Sequence, residues 1–76
     1  MSSRLVFHVL PQGTNWKVRI EGSDEVIYKS INKEESVKKA IELAKMEPLA
    51  QVKFHKADGT IEEERTYGKD PRDIPG

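Results

Sequence analysis

Apolar and charged residues alternate most cleanly over Trp16-Lys17-Val18-Arg19-Ile20-Glu21. A period of two predicts a strand with Trp16, Val18 and Ile20 on one face and Lys17, Arg19 and Glu21 on the other, as in a sheet with one wet side. Arg4 to Leu10 is rich in branched and aromatic residues and predicts a preceding strand. Pro11-Gln12-Gly13-Thr14-Asn15 supplies turn chemistry between the two. Gly22-Ser23-Asp24 reads as the next turn, and a third strand is expected from about Glu25 to Ser30 or Ile31.

The period then changes. Asn32 is suited to cap a helix and Glu35, at the third position beyond it, to reach back, which together make a capping box. Val37, Ala40, Ile41 and Ala44 fall on one stripe of a 3.6-residue repeat, with Lys38, Lys39, Glu42 and Lys45 elsewhere. Pro48 disfavours helical geometry at Glu47, so the helix is expected to end near Met46. Beyond it Val52 and Phe54 alternate with Lys53 and His55. Ala57-Asp58-Gly59 makes a hairpin turn, and a last strand runs from Thr60 to about Tyr67. This hairpin sets Lys53 opposite Glu64 or Glu63 as a cross-strand ion pair, and a two-residue loop sets Glu62 across from His55.

The order β-β-β-α-β-β predicts an α+β fold, a two-layer sandwich in which one helix packs on one face of a mostly antiparallel sheet. Residues 1–67 form a single domain in this reading, and 68–76, with two prolines and two glycines, an extended or mobile tail. Pairing the second hairpin beside the first strand would centre the helix over the sheet. The first hairpin admits two registers. A four-residue loop pairs Val9 with Trp16 and Phe7 with Val18, buries Leu5, Phe7 and Val9, and leaves His8 outside beside Lys17 and Arg19. A five-residue loop exchanges the faces. The first register is preferred because it buries the purely apolar set.

Several motifs in this order resemble the domain of unknown function 2188 family of small prokaryotic proteins. They are His8-Val9-Leu10-Pro11, Gly13, Trp16-Lys17-Val18, Asn32-x-x-Glu35, His55-Lys56-Ala57-Asp58-Gly59-Thr60-Ile61 and Thr66-Tyr67-Gly68-Lys69-Asp70-Pro71. The resemblance spans residues 8 to 71. Asn32 replaces an expected threonine cap, Lys38 and Lys39 stand where alanine is frequent, and Lys53 replaces an aliphatic residue. The family brings no reaction, ligand or catalytic residue with it.

Composition narrows the function classes. A chain of 76 residues with 36% hydrophobic side chains has one thin core, which self-association would help. The lack of cysteine removes disulfides, thiolate zinc sites and a thiol nucleophile, and fits a cytoplasmic setting. The apolar run Leu5 to Leu10, broken by His8, is too short for a signal core or a membrane span, so no membrane partner is expected. Thirteen basic and thirteen acidic side chains cancel, which counts against a dedicated nucleic-acid binder.

Four candidate features remain. His8 and His55 are a candidate ligand or metal site with Glu62 as third member, although two histidines packed within a sheet are the commoner arrangement. Lys17, Arg19, Lys29 and Lys53 are a candidate nucleic-acid-binding stripe on the outer sheet face, weighed against a solvated surface interrupted by Glu21, Glu62 and Glu64. Glu62-Glu63-Glu64 reads as an edge strand protected from aggregation. Trp16 reads as a core anchor, while Tyr67 reads either as a cover for the core edge or as a recognition residue. No glycine-rich phosphate loop and no nucleophile-base-orienter set is spaced for catalysis. Ser30 and Ser36 look like local backbone partners. The expectation is a non-enzymatic binding or interaction module without cofactor, self-associating or bound to another protein, with nucleic-acid binding as the alternative.

Overall fold

The structure is a computed structural model that describes residues 5–68. Its elements are β1 (Leu5–Gln12), β2 (Asn15–Ile20), β3 (Val26–Ser30), α1 (Lys33–Lys45), β4 (Leu49–His55) and β5 (Ile61–Gly68). They form one sheet of five strands in the order β3-β2-β1-β4-β5, covered on one side by α1. Only the β1–β4 pair is parallel, so the fold is α+β with a mostly antiparallel sheet, and the second hairpin does join beside the first strand. The expected tail, apart from Gly68 at the end of β5, lies outside the described residues.

The first hairpin is tighter than expected. Gln12 pairs with Asn15 across a two-residue loop, Gly13-Thr14, and Val9 faces Val18 rather than Trp16. Gly13 has φ +62, the left-handed backbone needed at the first position of a tight hairpin turn, and this draws Pro11 and Gln12 into the strand. The shift is two residues, so Phe7 and Val9 still face the helix and His8 still faces outward. Pro11 is tolerated because β4 pairs with β1 only as far as Val9, leaving nothing on that side to receive a missing N–H.

Phe7, Val9, Val18, Ala40, Ala44, Ala50, Val52 and Phe54 form the buried core. Val9, Val18 and Val52 lie on three adjacent strands and are fully buried, each contributing about 1.5–3 kcal/mol of transfer free energy. The helix meets them along Ser36, Ala40 and Ala44, all 0% exposed. This line is narrower than the stripe expected from Val37 and Ile41, which flank it half-buried. Small side chains let the helix backbone approach the branched residues of the sheet.

Asn32 caps α1, its Oδ1 accepting from Glu35 N at 2.9 Å. Glu35 returns to the Asn32 side-chain amide at 3.5 Å rather than to its backbone N–H. Ser30 donates to Asn32 O at 2.6 Å, which leaves buried Ser36 to donate to Ser30 Oγ, also at 2.6 Å. The helix ends at Lys45, with Met46 as its C-cap two residues before Pro48.

At the far edge, β5 is exposed along most of its length. The helix covers it less than any other strand, and its helix-side positions are Glu63, Arg65 and Tyr67 instead of apolar residues. Arg65 lies over the Phe54 ring, 5.8 Å from its centroid, and donates to Glu63 at 2.6 Å. Tyr67 packs against the core edge. Trp16 sits at the core rim, half-buried, with Lys33 Nζ 5.4 Å above its ring; it is a rim residue rather than a central anchor. Among the described residues no helix is long and apolar enough to cross a membrane.

Candidate functional site

The side of the sheet away from α1 carries no second layer among the described residues, and strand alternation collects the outward side chains there. On β1 and its neighbours the register sets His8 opposite Arg19 of β2 and beside Lys53 of β4, and sets Lys17 directly opposite Lys29 of β3. All four stripe residues therefore share this face with His8. Leu10, the partner of Lys17, adds a half-buried apolar surface between the charges.

The two histidines meet. His8 Nδ1 and His55 Nε2 are 2.9 Å apart, their rings tilted at 43°. His55, 8% exposed, donates from Nδ1 to the Gly59 carbonyl at 2.9 Å. That carbonyl is held by the turn after β4, where Gly59 N bonds Lys56 O and Lys56 N bonds Thr60 O, with Gly59 at φ +94. At the other end His8 Nε2 lies 2.9 Å from Glu21 Oε1, and Lys53 Nζ reaches the same oxygen at 3.6 Å. The bond from His8, reinforced by the Lys53 charge, holds the Glu21 carboxyl below the usual carboxylate range.

Glu62 does not join this group. A bulge between Phe54 and His55 sets Ile61, not Glu62, opposite His55. The extra residue turns Glu62 toward the helix, where it pairs with Lys33, and that bond lowers its pKa. All four imidazole nitrogens have contacts within the chain. Among the described residues no group of three or more His, Asp or Glu side chains is placed to hold a metal ion. Lys53 does face Glu64 in register, but its ion pair is with Glu21, while Glu64 accepts from Gln51 Nε2 at 3.1 Å.

The cations divide into two sorts. Lys53 is tied to Glu21, and Arg19 Nη1 lies 3.8 Å from Asp24 while its Nε is buried without an acceptor. Lys17 and Lys29 face each other, and neither makes an ion pair among the described residues. The β2–β3 end of the face is therefore its positive end. Two surface hollows flank the helix on the opposite layer, one lined by residues including Tyr28, Lys38 and Ile41, the other by residues including Val37, Phe54 and Arg65. Neither includes a histidine.

Glu21 and the Gly59 carbonyl are the partners that sequence reasoning missed. Alternation did put Glu21 on the outer face, but its contact with His8 depends on the two-residue shift in the hairpin.

The family described as "Uncharacterized protein conserved in bacteria (DUF2188)" matches residues 7–67, from Phe7 within β1 to Tyr67, one residue before the end of β5. The chain belongs to this family. The DUF2188 match contains His8, His55, Glu21 and the four stripe cations, and it brings no assigned activity. No curated protein and no solved structure matches the chain.

Proposed function

We propose that this DUF2188 chain is a non-enzymatic binding module of the cytoplasm whose open sheet face takes an anionic partner, the phosphate backbone of nucleic acid being the class it fits best. The observation that carries the reading is the Lys17–Lys29 pair. Like charges directly across a strand pair cost roughly 0.2–1 kcal/mol, and neither lysine makes an ion pair among the described residues. A phosphate placed between them would offset that cost. Arg19 and Lys53 extend the same surface. Zero net charge weighs less against this reading once position is considered, because Glu62 and Glu63 lie toward the helix rather than among the stripe cations. The β2–β3 ribbon at the sheet edge also has the form of strand pairs that enter a major groove about 12 Å wide. An enzyme is disfavoured because the histidines sit on an open face and neither of the two hollows beside the helix includes them.

An NMR titration with short duplex DNA and RNA at low salt tests this. Shifts are expected at Lys17, Arg19, Lys29 and Lys53, weakening steeply as salt rises. Absence of shifts there at submillimolar nucleic acid would overturn it. Sedimentation at several concentrations tests the self-association expected of a thin core; a strict monomer removes that part.

A further inference from the structure

The chain of contacts Gly59 carbonyl, His55, His8, Glu21 fixes how many protons it holds. A carbonyl only accepts, so His55 Nδ1 carries a proton. The Glu21 carboxylate also only accepts, so His8 Nε2 carries another. The 2.9 Å contact between His8 Nδ1 and His55 Nε2 needs one more, on either ring. Two neutral imidazoles bring one proton each. The three contacts therefore hold one proton more than two neutral rings supply.

We propose that His8 and His55 form a single proton-binding site that takes up one proton jointly, and that this proton sets the charge at the centre of the open sheet face. The groups facing the pair are Arg19 and Lys17 from β2, Lys53 from β4, Glu21 after β2, Glu64 from β5, and Lys56 and Asp58 from the last turn. Of these, Glu21 alone touches an imidazole of the pair through its carboxylate, and Asp58 is occupied with the backbone and hydroxyl of Thr60.

Removing the extra proton leaves one contact without a hydrogen. The contact between the rings is the one that opens, because the bond to the Glu21 carboxylate is charge-assisted and the Gly59 carbonyl keeps a proton on His55 Nδ1, so that two lone pairs meet across the rings. Adding a further proton instead sets N–H against N–H across the ring contact and drives the rings apart. The joint state thus occupies a pH window closed on both sides, and the pair titrates as a coupled unit rather than as two histidines. Within the window the face holds one more positive charge, so anion binding strengthens as pH falls into it.

The titration itself stands without any partner; its effect on binding rests on the function proposed above. Long-range 1H–15N spectra of the labelled, unliganded chain between pH 5 and 8, the range of histidine charge change, read the ring nitrogens directly. Three protonated ring nitrogens are expected inside the window. Both rings are expected to share one midpoint on its alkaline side, with His55 Nδ1 protonated throughout. Two midpoints, each unmoved when the other ring is replaced in His8→Gln or His55→Gln, would overturn the joint site; the wild-type spectra alone decide it if a variant fails to fold. Binding of a short DNA duplex is then measured across the same pH range. An affinity gain of about fivefold on acidification, of the size one nearby charge supplies in water, and its loss in His8→Gln, are expected. Measurable binding that does not change through the shared midpoint would overturn the control of binding. Absence of any binding would overturn both that control and the proposed function, leaving the proton site standing.

Discussion

At the scale of single residues, backbone conformation decides more than side-chain chemistry at Gly68. Its φ is +114, and a Cβ there would overlap Pro48 O and stand 2.7 Å from Leu49 Cα. Gly68→Ala is expected to destabilise the fold by about 1–3 kcal/mol, read as a lowered urea midpoint. Ser36 presents the opposite case, a polar side chain fully buried but satisfied by Ser30. Ser36→Ala removes that bond, and a loss of about 1 kcal/mol is expected in the same measurement. Neither requirement was legible in the sequence. Gly68 looked like the start of a tail and Ser36 like a local backbone partner, because only packing brings Pro48 and Ser30 against them.

At the scale of elements, the helix was read well and the hairpins less well, for a physical reason. A capping box and a 3.6-residue stripe are local, and Asn32, Glu35, Ala40 and Ala44 all hold the places their spacing implies. Asn32→Ala is expected to cost about 1 kcal/mol through the lost cap, seen as reduced helicity near the N-terminus and a lower thermal midpoint. Hairpin register instead depends on which turn residue accepts a left-handed backbone. Gly13 and Gly59 do so, yet the pattern alone did not reveal a two-residue loop before Asn15 or a bulge before His55. The first difference kept every residue on its expected face, because the shift is two residues, but it brought Glu21 to His8. The second removed Glu62 from the histidines.

At the scale of the whole molecule, charge placement couples stability to binding. Lys29→Glu replaces a like-charge cross-strand pair with an opposite one. It is expected to raise stability by roughly 0.2–1 kcal/mol while abolishing anion binding, which paired denaturation and NMR titrations would read. A destabilised variant that still binds would refute the role of the pair. Acid behaviour follows from the carboxylates. Glu21, Asp58 and Glu62 are held below their ordinary values of 4.5, 3.8 and 4.5 by His8, by Thr60 and by Lys33 respectively. Their stabilisation is present above those values and is lost as pH falls through the lower folded ones. Urea midpoints are therefore expected to fall below about pH 4.5, and Glu62→Gln should flatten that fall.

The sequence by itself determined the order of elements, the helix cap, the places of Ala40 and Ala44 on the buried side of the helix, and which residues share a face within each strand, while the inward face of β1 was only preferred. What it determined follows from a repeat of two or 3.6 residues within one segment. The tertiary structure alone decided that β1 and β4 lie side by side, and hence that His8 and His55, 47 positions apart, share a hydrogen bond. It also decided that Glu21 closes their chain and that Lys17 meets Lys29. Such meetings depend on turn conformation and register, which no single strand encodes, and they convert separate side chains into a site.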